Sequence, residues 1–395
     1  MQVQGKSREN TKEGYAVKMK KWIAGIALAC LGAVASAAGA ADVINIGAIG
    51  PLTGGSSIAG LDERDAKIMA IDEVNAKGGI LGKKVVLFSE DDASQPSQAA
   101  SVAMKMINQN SVTAIVGAHN SPCTLAVMQV VARAGVPLIT SGSTSPKVTE
   151  SDNAWVVRAS PPDSVQAAAL VQYALAKGFK NIGIIYLNDD YGKGGYNAVA
   201  KALESKGLKL AGAETFMSDD KDMRAQLTKL KSQGVDALLI WTNFVDGSLV
   251  MRQTREIGWN VQFFTGTGVV HNRTFELVGE AFDGTIETVP FIPNAPDESV
   301  QKFVKDFEKR FGRVPSQPAA RAYDATRLLF AAIEKAGSLD KTAIRDAMRN
   351  TKDFKGLQGT ISINPANGEY QGGVMIVKAN FANKNWDFIE NVVPK

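Results

Sequence analysis

Two histidines, two cysteines and several runs of small hydroxyl residues are where chemistry could start in this 395-residue chain. The stretch VGAHNSPCTLAV, residues 116–127, holds His119 and Cys123 with Ser121 between them. A thiol near an imidazole is a candidate nucleophile and base. The competing reading makes Cys123 a small buried thiol at a helix start and His119 a polar loop residue, and it is the one favoured. His271 is the second imidazole. Neither histidine sits in H-x-x-x-H or beside another soft ligand, so no metal site is expected. Glu90-Asp91-Asp92 and Asp189-Asp190 follow apolar runs, where carboxylates commonly cap the next turn. The first Gly-rich turn, Gly47 to Gly55, lacks the G-x-G-x-x-G spacing of a dinucleotide site. Neither G-x-x-x-x-G-K-[ST] nor G-x-S-x-G occurs. No catalytic residue and no cofactor are expected.

What remains is a repeated device. Gly50-Pro51-Leu52-Thr53-Gly54-Gly55-Ser56-Ser57, Asn120-Ser121-Pro122 and Ser141-Gly142-Ser143-Thr144-Ser145-Pro146 each follow an apolar run and precede a helical pattern. Ser121 before Pro122 fits a helix cap followed by proline in the first turn. Such a helix start offers free N–H groups and a partial positive charge, suited to an anion. Two such loops from neighbouring strands point to a binding cleft.

The elements that must position these loops alternate. Strands are expected at 43–48, 84–88, 113–117, 137–140, 181–187, 208–214, 236–241 and 261–264. Helices are expected near 58–77, 96–110, 122–134, 163–177, 191–206, 222–232 and 246–257. Apolar strands alternating with amphipathic helices mean parallel sheets covered on both faces. Ser160-Pro161-Pro162-Asp163 and the proline-rich 289–296 break the series. The pattern then turns helical at 297–311, 318–337 and 340–349, and Asn367-Gly368 reads as a hairpin turn.

Residues 1–41 stand apart. Lys20-Lys21, a short apolar run from Trp22 to Val34 and Ala35-Ser36-Ala37-Ala38 describe a secretory signal peptide, with Met19 as a natural start. Ala27-Leu28-Ala29-Cys30 is an alternative lipid-anchoring motif with alanine where leucine is usual. These residues carry six of the 44 Lys/Arg and two of the 40 Asp/Glu, which leaves 38 of each. A neutral mature chain has no electrostatic case for nucleic acid. Cys123 is then the lone cysteine, so no intrachain disulfide is expected.

Six stretches together resemble the periplasmic substrate-binding proteins of branched-chain (Leu/Ile/Val-type) amino-acid ABC transporters. They are IGAIGPLTGG (46–55), AIDEVNAKGGILGKKV (70–85), EDDASQPSQA (90–99), GVPLITSGSTSPKVTE (135–150), NDDYGKGG (188–195) and AYDATRLL (322–329). The resemblance implies an α/β chain of two doubly wound, Rossmann-like lobes with three crossings, the type I periplasmic binding protein fold. Lobe 1 would be 42–159 plus 290–357, and lobe 2 would be 160–289 plus 358–395. It implies a monomeric periplasmic receptor that closes on an apolar or branched-chain amino acid and delivers it to a membrane ABC permease.

Carried over residue by residue, Ser121 holds the ligand carboxylate, with Thr124 as the alternate. Gly142, Ser143 and Thr144 meet its carboxylate and ammonium, and Tyr191 closes from lobe 2. Departures bear on specificity. Ile58-Ala59 replaces the first-loop aromatic, TGTGVVHN after Phe264 has no carboxylate, and Ser94 stands at a place of the family disulfide. An unpaired buried ammonium is costly, and RASPPDSVQA resembles the segment of class C receptor ligand-binding domains whose aspartate meets the amino group, so Asp163 is the candidate partner, with capping of the helix at 163–177 as the equal alternative. Ile58, Trp241 and Phe244 are left to select the side chain, with Trp241 and Phe244 read equally well as core. Two alternatives remain: an aromatic or other carboxylate without an amino group, and a sensory module that presents its ligand to a membrane kinase.

Overall fold

The structure is a computed structural model, and it describes residues 43–218 and 220–393. The signal-peptide and Cys30 readings fall outside them. Five short strands form the first sheet: β1 (Ile44–Gly50), β2 (Val85–Asp91), β3 (Ala114–Val116), β4 (Leu138–Thr140) and β5 (Val156–Arg158). They run parallel in the order β2-β1-β3-β4-β5. β3, β4 and β5 are buried on both faces, and this is why they read as unbroken apolar runs.

The second sheet repeats the plan. Its parallel part is β6 (Ile182–Leu187), β7 (Gly212–Phe216), β8 (Ala237–Trp241), β9 (Gln262–Thr265) and β10 (Ile286–Val289), in the order β7-β6-β8-β9-β10. In each sheet the order reverses beside the first strand, between β1 and β3 and between β6 and β8. Loops leaving the carboxyl ends at such reversals form the crevice where open α/β sheets hold ligands.

Helices cover both sheets. α1 (Ser57–Ala76), α2 (Pro96–Gln109), α3 (Ser121–Ala134) and α4 (Lys147–Glu150) serve the first, and α5 (Asp163–Ala176), α6 (Asp190–Glu204), α7 (Arg224–Ser232), α8 (Phe244–Glu256) and α9 (Thr274–Val278) serve the second. α10 (Glu298–Phe311), α11 (Gln317–Ala336) and α12 (Lys341–Arg349) return to the first lobe. Phe303, Phe307, Leu329, Ile333 and Met348 there share one core with Ile44, Ile46 and Val116. Proline opens α2, α3 and α11 in the first turn, where its missing N–H costs nothing.

The last part of the chain corrects the expected boundary at 358. β11 (Phe354–Gly356), β12 (Gly359–Ile363) and β13 (Tyr370–Gln371) make a small antiparallel sheet. Ile361, Ile363 and Tyr370 bury into the first core, so this segment packs with lobe 1. Only then does β14 (Val374–Asn380) pair antiparallel with β10, and β15 (Asn385–Val392) extends it. The chain passes between the lobes after β5, after β10 and after β13. Among the described residues no helix is long and apolar enough to cross a membrane.

Candidate functional site

The loops at both reversals open onto one cavity between the lobes. Lobe 1 contributes Ser56 after β1, His119, Asn120 and Ser121 after β3, and Gly142 and Thr144 after β4. Lobe 2 contributes Tyr191 after β6, Asn243 and Phe244 after β8, and Thr267 to His271 after β9, while Gln317, Pro318 and Arg321 come from the start of α11. The lobes are bridged beside the cavity, where Gln317 Nε2 donates to the Thr267 carbonyl at 2.8 Å.

The N-terminus of α3 is the chief feature of the lobe 1 wall. The helix begins at Ser121, and the cap position is Asn120, one residue before the expected one. No side chain caps this end. Asn120 Nδ2 donates instead to Ser56 Oγ at 3.0 Å, and its Oδ1 has no partner. The Ser121 hydroxyl accepts the Ser145 N–H at 3.3 Å. The uncapped first turn therefore stands at a cavity wall, next to the buried Thr144 hydroxyl.

A buried arginine behind the wall fixes Thr144. Arg158 at the end of β5 is fully buried. Its Nη1 donates to the carbonyls of Ser143 at 3.1 Å and Ser145 at 2.8 Å, one on each side of Thr144. Its Nε and Nη2 form a fork on Glu369 at 2.9 and 2.7 Å. Gly142 completes the loop. A Cβ there would lie 2.6 Å from the His119 Cα and carbonyl, so two loops approach as closely as glycine alone permits.

Five sequence candidates line the cavity: Ser121, Gly142, Thr144, Tyr191 and Phe244. The other five do not, each for a visible reason. Thr124 and Ser143 bond to each other and to the carbonyls of Ala118 and His119, tying the β3 and β4 loops together. Ile58 faces a separate outer groove with Leu61 and Arg64, while its neighbour Ala59 takes the cavity. Trp241 is wholly buried, and Cβ atoms at Gly195 or Gly266 would lie 2.2 and 3.0 Å from its ring, so its indole is core. Asp163 starts α5, fully buried, with Oδ1 accepting from Trp241 Nε1 at 3.3 Å and Oδ2 unpartnered. Burial pushes its carboxyl up to about 7, only partly offset by the Thr144 hydroxyl, Arg158 and the Trp241 indole.

His119 and Cys123 do not form a dyad. His119 Nδ1 meets Glu63 Oε1 at 2.8 Å, and the Cys123 thiol is fully buried, which pushes its pKa far up. Glu63 also pairs with Lys67 at 3.2 Å. Burial alone would raise the Glu63 carboxyl, yet Lys67 and His119, with Arg321 further off, hold it down to about 2. Asp189 caps α6 by accepting the Gly192 N–H at 2.8 Å. His271 was not anticipated at the site. It stacks on Phe244 with ring centroids 4.6 Å apart. Among the described residues no group of three His, Cys, Asp or Glu side chains could hold a metal.

The model of the periplasmic binding protein family matches residues 43–385. The chain belongs to that family. This periplasmic binding protein is a receptor and not an enzyme. It is 32% identical over 325 residues to a Leu/Ile/Val-binding protein of Rhizobium johnstonii, covering 81% of this chain and 87% of that one. A branched-chain amino acid transporter substrate-binding protein of Streptococcus pneumoniae, solved with isoleucine, superposes with a TM-score of 0.81 at 26% identity, over 89% of this chain and all of that one. A solute-binding protein of an ABC transporter from Rhodopseudomonas palustris, solved with 3,4-dihydroxybenzoic acid, superposes at 0.82 over 89% of this chain and 98% of that one. At 22% identity it attests the fold alone.

Proposed function

We propose that this periplasmic binding protein captures a small carboxylate-bearing solute between its lobes and delivers it to the permease of an ABC transporter. The observation that carries the reading is the uncapped N-terminus of α3 at the cavity wall, beside the Thr144 hydroxyl. Helix N–H groups and hydroxyls complement a carboxylate, and charge-assisted hydrogen bonds of this kind contribute roughly 1.5–3 kcal/mol each.

An apolar α-amino acid is the first reading of the solute. The names of the relatives support it, and Ala59, Phe244 and Val270 supply an apolar wall. It requires Asp163 to meet the ammonium from behind Thr144. The second reading is a carboxylic acid without an amino group. What favours it is the cavity wall itself, whose lining residues include an arginine and no aspartate or glutamate.

Thermal unfolding with amino acids and aromatic or aliphatic acids tests the proposal. A ligand at a hundredfold its Kd stabilises by about 2.7 kcal/mol. A rise in Tm with one of these acids is expected, and a rise only with uncharged sugars or polyols would refute the carboxylate reading.

A further inference from the structure

Arg321 is a cation that the fold leaves without a partner. It stands in the second turn of α11, is 2% exposed and lines the cavity. Its Nε has no hydrogen-bond acceptor. Among the described residues, its charge is supported only through space, by Glu63 and the Tyr191 oxygen, against the burial that lowers its pKa. Glu63 is already committed, with Oε2 on Lys67 and Oε1 on His119. Both oxygens of that carboxylate are thus taken, and neither reaches Arg321 in a hydrogen bond. A guanidinium buried without a counter-charge is expensive. Its planar fork matches a carboxylate in two parallel hydrogen bonds, which a lysine cannot reproduce.

We propose that Arg321 is a specificity-determining residue that binds the solute's carboxylate directly, and that the solute is a net anion, a carboxylic acid lacking an α-amino group. This rests on the carboxylate-solute reading above. The uncapped end of α3 and the guanidinium front the same cavity, so a single anion neutralises both. A zwitterion would bring its ammonium to a wall that already carries unpaired positive charge and has no acid among its lining residues. Asp163 is turned to the Trp241 indole and absent from that lining, and Glu63 is held by Lys67 and His119.

The test compares leucine with 4-methylpentanoate, the same skeleton without its amino group, and with benzoate. Calorimetric titrations use the whole mature protein, freed of any carried-over solute by unfolding and refolding. 4-Methylpentanoate or benzoate is expected to bind at least about tenfold more tightly than leucine, the loss of one charge-assisted contact being worth roughly ten- to a hundredfold. Arg321→Gln is expected to weaken the favoured acid by a similar factor, and Arg321→Lys by less, since it keeps the charge and loses the fork. Tighter binding of leucine than of both des-amino acids overturns the inference and leaves the carboxylate reading standing. Failure of all three, together with every other carboxylic acid in the thermal screen, overturns both. The wild-type comparison decides the solute class even if Arg321→Gln does not fold, and unchanged affinity in Arg321→Gln or Arg321→Lys overturns the role of Arg321.

Discussion

Replacing Glu369 with glutamine isolates the support behind the cavity wall. The Glu369 carboxylate accepts Arg158 Nε at 2.9 Å, Arg158 Nη2 and the Thr149 hydroxyl at 2.7 and 2.6 Å, and the Tyr370 N–H at 2.7 Å. Glutamine keeps the shape but turns one oxygen into a donor, which must then face another donor. Removing one partner of a buried ion pair costs about 3–5 kcal/mol. The Glu369 side chain is 21% exposed, and water reaching it reduces the figure, so about 2–3 kcal/mol is a fair magnitude. A chain of this size gains roughly 0.7 kcal/mol per kelvin of entropy on unfolding, so Tm should fall by about 3–4 °C. The site should respond as well, because Arg158 holds the carbonyls on either side of Thr144. Differential scanning calorimetry reads the first effect and ligand titration the second. An unchanged Tm and unchanged affinity in Glu369→Gln would refute the claim that this pair fixes the Thr144 loop.

Three further expectations concern neighbouring groups. Ser121→Ala should weaken solute binding by roughly tenfold, whereas Cys123→Ser, at a buried thiol away from the cavity lining, should leave titrated affinity nearly unchanged. Gly142→Ala should fold but bind poorly, since its Cβ would push the His119 backbone from 2.6 Å; retained affinity would show that the loops can part freely. Asp163, pushed up to about 7 by burial among Arg158, Asp189, Tyr191 and Trp241, prefers its proton in the folded state. Its contribution to stability is therefore complete below the usual carboxylate range and is lost as pH rises through about 7. Melting curves from pH 5 to 8 should show the wild type losing stability relative to Asp163→Asn, and parallel curves would refute the burial argument.

The sheets were legible because parallel strands buried on both faces leave unbroken apolar runs between amphipathic helices. β8, residues Ala237–Trp241, is an example. The hydroxyl loops were legible because a strand-to-helix turn near a ligand needs small residues and free N–H groups. Trp241 was left open between cavity and core, since an aromatic at a strand's carboxyl end looks alike whether it faces a ligand or a helix. The signal lay elsewhere, in Gly195 and Gly266, which leave the slot its indole fills. Arg321 was missed inside a helix. It shares a stripe with Gln317, Ala325 and Leu328, all buried, and a charge on such a stripe was the mark to follow. The boundary near 358 was hidden because the small sheet β11–β13 alternates like any edge hairpin, and only its packing on the first core assigns it.

The central claim is that the cleft grips a carboxylate. Titrating the solute-free protein with matched pairs, leucine against leucinamide and benzoate against benzamide, tests it most directly. The account predicts saturable one-to-one binding of at least one acid, with its amide weaker by a hundredfold or more, a difference of about 2.7 kcal/mol. Equal affinity for an acid and its amide would contradict it.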